Sequence, residues 1–417
     1  MEQINPYYII ISASLIVIIS YFFNIISKRT NIPSVLLLIT LGLFIKAGLT
    51  ITGYDDYNWF PILQILGIIG LIMIVLESAL ELELNKDKTK TILKALLVAF
   101  ASITINVFVI AKIYQLFFTM DFFTAALYAT PISIISSAIV IPSIENLSNN
   151  KKEFLIYEST LSDILGIIVF YSLLMFPDHD NITSFSFKVI TNFLLTIILA
   201  FALSYLMIYI SQKLKTRIKL FLFISILILF FAIGKTLHLS SLIIILIYGI
   251  VANNRKIFIP KFLQKKCDKH ALDETTEDIK LITFETSFII RTFFFVIFGI
   301  TLALSSLLDF KVWIISILLL IVIYGFRYIF LRFAVGKNLF PEIFIAPRGL
   351  ITILLFYVIP KQHQIQDFNY GILFFNIIVT SIIMTIALIK YKHTHTQIDS
   401  QAEKITGKTE SIDKLSE

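Results

Sequence analysis

Apolar residues fall into thirteen runs along the chain, roughly 7–27, 32–48, 59–84, 91–118, 121–146, 153–176, 186–211, 218–236, 239–253, 280–308, 311–331, 341–360 and 368–390. About 20 apolar residues in a helix cross about 30 Å of hydrocarbon, so each run predicts one transmembrane helix. Met1-Glu2-Gln3 carries no basic residue and no A-x-A site follows the first run, so that run is expected to stay as a helix. The polar end from His393 to Glu417 lacks an apolar face and is expected to be a short, unstructured cytoplasmic tail (393–417) behind a transmembrane domain of residues 1–392.

Composition sharpens this picture. The 417 residues are 57% hydrophobic and only 15% charged, with 39 Phe and a mean hydropathy of +0.88. Soluble chains run about 45–50% apolar and about 25% charged, so the sequence describes an all-α polytopic membrane protein. One cysteine, Cys267, excludes a disulfide-stapled secreted domain. The basic residues lie between apolar runs, which excludes a nucleic-acid binder and makes the net charge of +7 a record of topology.

Lys and Arg mark the cytoplasmic connections. They sit in alternate loops: Lys28/Arg29, Lys86/Lys88/Lys90, Lys151/Lys152, Lys213 to Lys219, Arg255 to Lys269, and Arg332/Lys337. The intervening loops are short and often acidic, as in Tyr54-Asp55-Asp56-Tyr57 and Pro177-Asp178-His179-Asp180. Thirteen spans with the N-terminus outside and the C-terminus inside the plasma (inner) membrane fit every loop, and only Lys235, Lys311 and Lys361 fall on the outer side. The Asn181-Ile182-Thr183 sequon has no further support, and Cys267 suits a reducing interior.

Charges within the spans carry the chemistry, because each costs roughly 2.5–3.5 kcal/mol at a helix centre. Counted at about 1.5 Å per residue, Asp163 and Arg291 lie near the midplane. Glu77, Glu158, Glu285, Arg327 and Arg348 lie in the inner half. Three Glu are expected to balance three Arg, leaving Asp163 as the surplus carboxylate. Burial favours the protonated form of a lone carboxylate and a nearby cation favours the charged form, so a proton and a metal cation compete for one group. Ser159, one turn before Asp163, offers a hydroxyl oxygen of the kind hard cations prefer. Glu77 and Glu81 either line an inner funnel that draws cations or sit at the interface.

Two spans are interrupted near mid-membrane. Span five reads Ala129-Thr130-Pro131-Ile132-Ser133 and span twelve reads Ala346-Pro347-Arg348-Gly349. Proline removes a backbone donor and glycine tolerates the irregular dihedrals that follow. The breaks are seven spans apart, and an odd offset inverts the second unit. Residues 7–176 and 218–390 therefore read as inverted repeats joined by a linker helix over 186–211, with two discontinuous helices crossing beside Asp163, an arrangement that points to a transporter's binding site.

These residues resemble the monovalent cation/proton antiporter superfamily, sodium/proton exchanger branch. The likeness covers about residues 7–390. It rests on Glu158-Ser159-Thr160-Leu161-Ser162-Asp163, Leu80-Glu81-Leu82, Arg291 to Gly299, and Pro347-Arg348-Gly349-Leu350. It implies a homodimer, a core domain moving past a dimerisation domain, and alternating access to one carboxylate that binds Na+ and H+ without a cofactor. It also implies a pairing of Glu158 with Arg327; snorkelling of Arg327 to the inner interface is the alternative.

The branch usually has Asn before the ion-binding Asp, and the electrogenic branch a second Asp; here the residue is Ser162. The family's Thr-Asp-Pro in span five is Thr130-Pro131 here, without an acid, so coordination on that side would fall to carbonyls and to the hydroxyls of Thr130 and Ser133. A single carboxylate favours electroneutral exchange of Na+ for H+, with Li+ tolerated, and K+/H+ antiport is the alternative. More distant readings are a membrane-embedded transferase and a cation channel. The partner of Arg291 is open, since Glu285 lies six residues away and outside the i, i+4 range.

Overall fold

The computed structural model describes residues 6–30, 32–52, 59–174, 182–213, 219–237, 239, 241–258, 269–365 and 367–413. The regular structure among these residues is helical. The helices are α1 (Pro6–Thr30), α2 (Ser34–Thr52), α3 (Phe60–Glu81), α4 (Thr89–Phe117), α5 (Phe122–Ser133), α6 (Ser137–Ser143), α7 (Asn149–Leu174), α8 (Ile182–Lys213), α9 (Lys219–Thr236), α10 (Ser241–Asn253), α11 (Arg255–Phe258), α12 (Lys269–Thr301), α13 (Phe310–Ala334), α14 (Leu350–Val358) and α15 (Gly371–Asp413). Among the described residues ten helical segments are long and apolar enough to cross a membrane, with α5 and α6 taken together as Phe122–Ser143. Leu222–Thr236, Ser241–Asn253 and the nine-residue α14 are shorter. Each of the thirteen expected spans contains one of these helices or helix pairs, and the protein is a multi-pass membrane protein. The expected loops over 53–58, 175–181, 214–218 and 259–268, with Cys267 and the start of the sequon, lie outside the described residues.

Two expectations change. The tail continues α15 as helix to Asp413, because no proline and, before Gly407, no glycine interrupts it. Span twelve is helical only after its break. Before it, residues 341–349 form one 3-10 turn, Glu342–Phe344, and then run extended. Two prolines, Pro341 and Pro347, interrupt this stretch, and a side chain from α13 takes up the Glu342 and Ile343 carbonyls, as described below.

The helix starts follow local chemistry. Asp121 caps α5 by accepting from the Phe123 and Thr124 N–H groups at 2.9 and 3.1 Å, and Asp309 caps α13 through the Lys311 N–H at 2.9 Å. The helices pack mainly as two groups. The first comprises α1, α2, α3, α8, α9, α10 and α12; the second comprises α4 to α7 with α13, α14 and α15. Asn254 closes the first group at one end. Its side chain accepts from the Leu84 N–H at 2.6 Å and donates to the Leu82 carbonyl at 2.7 Å, fastening the end of α3 to α10. The groups meet where α3 touches α6, α7 and α14, where α10 touches α7, and where α1 touches α6.

The α5–α6 break and the 345–349 break cross within the second group. Three successive N–H groups freed by the first break find partners: Ile135 donates to Ser162 Oγ at 3.0 Å, Ser136 to the Pro347 carbonyl at 3.0 Å, and Ser137 to Asp163 Oδ2 at 3.2 Å. Carbonyls near the end of α5 are taken as well. Thr130 and Ser133 hydroxyls bond those of Ala126 and Ala129 at 2.7 and 2.9 Å. Arg348 Nε bonds that of Ile132 at 2.7 Å. Gly349 makes the crossing possible, because a Cβ there would lie 2.4 Å from Ser136 Oγ and 2.8 Å from Ile139 Cδ1.

Gly349→Ala should therefore destabilise the crossing by about 1–3 kcal/mol, the scale of overpacking. Gly325→Ala on α13, where a Cβ meets nothing within 4 Å, should be neutral or stabilising by up to about 1 kcal/mol. Melting temperatures of the purified variants in detergent separate the two. Equal shifts would contradict the close approach at Gly349.

Candidate ion-binding site

Asp163 sits on α7 beside the crossing and is 2% exposed. Its Oδ2 is held twice by Ser137, through the backbone N–H and through a short hydrogen bond from the hydroxyl. Its Oδ1 is buried and makes no hydrogen bond. No basic side chain forms an ion pair with it among the described residues. Other buried oxygens without a hydrogen-bond partner lie on the elements of the crossing: Thr160 Oγ1 on α7, Ser136 Oγ in the break, and Thr352 Oγ1 in the first turn of α14. A carboxylate oxygen and neutral hydroxyls without hydrogen-bond partners in a buried region suit a hard monovalent cation, which takes oxygen ligands, and suit a proton equally.

The other hydroxyls expected around the carboxylate give or take hydrogen bonds elsewhere, with oxygen lone pairs still open to a cation. Ser159 bonds the Ile156 carbonyl at 3.2 Å, and Thr130 and Ser133 bond carbonyls of their own helix. Ser162 supports the break by accepting from Ile135. The side chain that reaches Asp163 is Ser137, which the sequence reading passed over. The signal was present, since Ser137 opens the helix that follows the Pro131 interruption.

The other membrane charges are placed as follows. Glu158 and Arg327 form a buried two-armed ion pair, with Nη1 to Oε1 at 2.6 Å and Nη2 to Oε2 at 3.0 Å. Arg327 spends its remaining donors on the carbonyls of Glu342 and Ile343 at 2.9–3.1 Å. Lys151 continues the network, bonding Glu342 Oε2 at 2.6 Å and the carbonyls of Asn338 and Phe340 at 3.2 and 2.8 Å. Lys151 and Glu342 were not expected here; a lysine at a span's end reads as topology alone.

Arg291 on α12 finds its partner on α3, with Nη2 3.1 Å from Glu77 Oε1. The expected balance of three Glu against three Arg does not hold. Glu285 lies on the exposed face of α12. Arg348, 1% exposed, donates to the carbonyls of Ile132 and Ala346 at 2.7 and 2.5 Å. Unwound backbone replaces a carboxylate as its counter-group, an option that counting charges does not reveal.

Two broken segments crossing beside a buried carboxylate, inside a bundle of membrane helices, define a transporter-type fold. The chain belongs to the sodium/hydrogen exchanger family: the sequence model of that family's transmembrane region matches residues 12–390. Two solved structures of the sodium proton antiporter MjNhaP1 from Methanocaldococcus jannaschii share the fold. The one at pH 8 has a TM-score of 0.67 and 17% identity, covering 94% of this chain and all of the other. The second, an electron microscopy map, has a TM-score of 0.67 and 18% identity, covering 94% and 97%. No curated protein sequence matches this chain.

Breaking the buried pair should cost about 3–5 kcal/mol, since it leaves an uncompensated charge. Arg327→Gln should lower the melting temperature more than Glu158→Gln, because it also frees the Glu342 and Ile343 carbonyls. The double variant should be milder than the sum. Strict additivity would show that the two side chains are not coupled.

Proposed function

We propose that the protein is a secondary antiporter that exchanges a monovalent cation for a proton at Asp163. The carrying observation is the state of that carboxylate: buried, without an ionic partner, one oxygen fixed by Ser137 and the other unbonded. A bare charge in a dry interior is costly to move. A proton or a cation on Oδ1 neutralises it, so either ligand permits the conformational change and the empty carboxylate forbids it. The second helix group carries the site and moves against the first, giving access to alternate sides.

Exchange is electroneutral in this reading, one cation against one proton. Ser162 stands where a second acid would sit, and Arg291 is occupied by Glu77 rather than by Asp163. Sodium is the favoured cation, with lithium accepted. Potassium is the alternative, favoured by the neutral Thr130-Pro131 in span five. The loop charges support a plasma-membrane protein with its N-terminus outside, and the resemblance supports a homodimer surrounded by lipid.

Asp163→Asn should abolish exchange while the protein still inserts, because an amide keeps the shape and an acceptor for Ser137 but exchanges neither ligand. Collapse of a pH gradient in everted vesicles on addition of sodium, lithium or potassium reads this out. Retained activity would remove Asp163 from the centre of the mechanism. The same assay on the wild type separates antiport from a channel or a transferase.

Transport should also ignore the membrane potential. Proteoliposomes with a sodium gradient, their voltage set by valinomycin once potassium is shown not to be a substrate, give the test. A rate that changes steeply with voltage would move the chain to an electrogenic cycle.

A further inference from the structure

Ser137, which grips Asp163, is itself gripped from the other helix group. Its hydroxyl lies 2.8 Å from the hydroxyl of Ser78 on α3. Both side chains are buried, at 0% and 4% exposure. A serine hydroxyl has one hydrogen to give. Ser137 gives it to Asp163 Oδ2, so Ser78 is the donor to Ser137 and the chain of bonds runs from α3 through α6 to the carboxylate on α7.

Several buried hydroxyls here return to a carbonyl one turn back, as Thr130 does to Ala126, Ser143 to Ile139 and Ser204 to Ala200, a common local bond for such residues. Ser78 instead turns across the boundary between the groups. Its neighbour Glu77 is committed to Arg291 within the first group, so adjacent residues of α3 serve different groups. Donation from Ser78 into the oxygen of Ser137 also strengthens the bond that Ser137 makes onward, by about 10–30%.

We infer that Ser78 is a positioning residue for the ion-binding carboxylate. Through Ser137 it fixes Oδ2 of Asp163 and leaves Oδ1 as the oxygen that receives the transported cation, in the arrangement of the two helix groups in which α3 and α6 meet. Ser78 touches neither ligand. Its bond to Ser137 spans the boundary that the proposed motion shears, so the grip on Oδ2 tightens when the groups are in this register and relaxes when they leave it.

The assignment rests on the antiporter reading, and its test keeps the two apart. In proteoliposomes of the full chain, Ser78→Ala should raise the KM for sodium about threefold, the scale of one neutral hydrogen bond, with less than a twofold change in maximal rate. Ser137→Ala should raise it at least as far. Adding Ser78→Ala to Ser137→Ala should then change KM no further, because Ser78 acts through Ser137. Melting temperatures in detergent establish that each variant is folded. An unchanged KM in Ser78→Ala, a fall in maximal rate alone, or additive effects in the double variant would overturn the assignment while an active wild type upholds the antiporter reading. Absence of cation-driven proton movement in the wild type would overturn both.

Discussion

Hydrocarbon offers no water to a free N–H or C=O, and each unsatisfied group there costs several kcal/mol. That constraint governs the crossing. Ile135, Ser136 and Ser137 present three free N–H groups in succession, and they are met by a hydroxyl and a carboxylate of α7 and a carbonyl of the second break. The proposed ligand of the transported ion is thus also a structural acceptor for the break beside it. Fold and site are built from the same atoms, so the irregular backbone is stable only where Ser162, Pro347 and Asp163 converge.

Arginine answers the same constraint in two ways. Its planar head carries five donors in a fixed fork. Arg327 divides them between Glu158 and two carbonyls of the unwound segment, while Arg348 bonds the carbonyls of Ile132 and Ala346. Both are therefore parts of the crossing as much as parts of a charge balance. Glu77 takes Arg291 within the first group. The buried carboxylate without an ion pair among those described is then Asp163, a result the sequence reading reached through a count of charges that proved wrong in its terms.

What could be read in advance follows from range. A span is a local property of about 20 residues, and a break is announced by Pro131 or by Pro347 and Gly349, so the helices, the interruptions and the candidate aspartate were visible along the chain. Partners were not, because they depend on rotation about a helix axis and on which elements meet. Glu285 and Arg291 share α12, yet one faces outward and the other reaches α3. Ser133 and Ser137 flank one break, yet one folds back on its own helix and the other holds Asp163. The half-helix in span twelve was hidden for the same reason. Its 3-10 turn is held by Arg327, distant on α13, and its extended part by the Ser136 N–H and the Thr380 hydroxyl, rather than by any local signal.

The boundary between the helix groups bears on the motion proposed above. Apolar side chains sliding past one another exchange one set of dispersion contacts for another, each worth only about 0.1–0.2 kcal/mol per atom pair. A buried ion pair across the boundary would be different, since separating it exposes two charges to hydrocarbon. The strong pairs respect that division: Glu158 with Arg327 lies within the second group and Glu77 with Arg291 within the first. What crosses the boundary beside the site is one hydroxyl pair, Ser78 with Ser137, weak enough to part and placed to register the parting at the carboxylate. Tyr157 bonds the Glu83 carbonyl at 2.9 Å near the connection from α3 to α4, where the chain itself passes from one group to the other. Strong interactions inside each body and weak, well-placed ones between them are what rigid-body exchange requires.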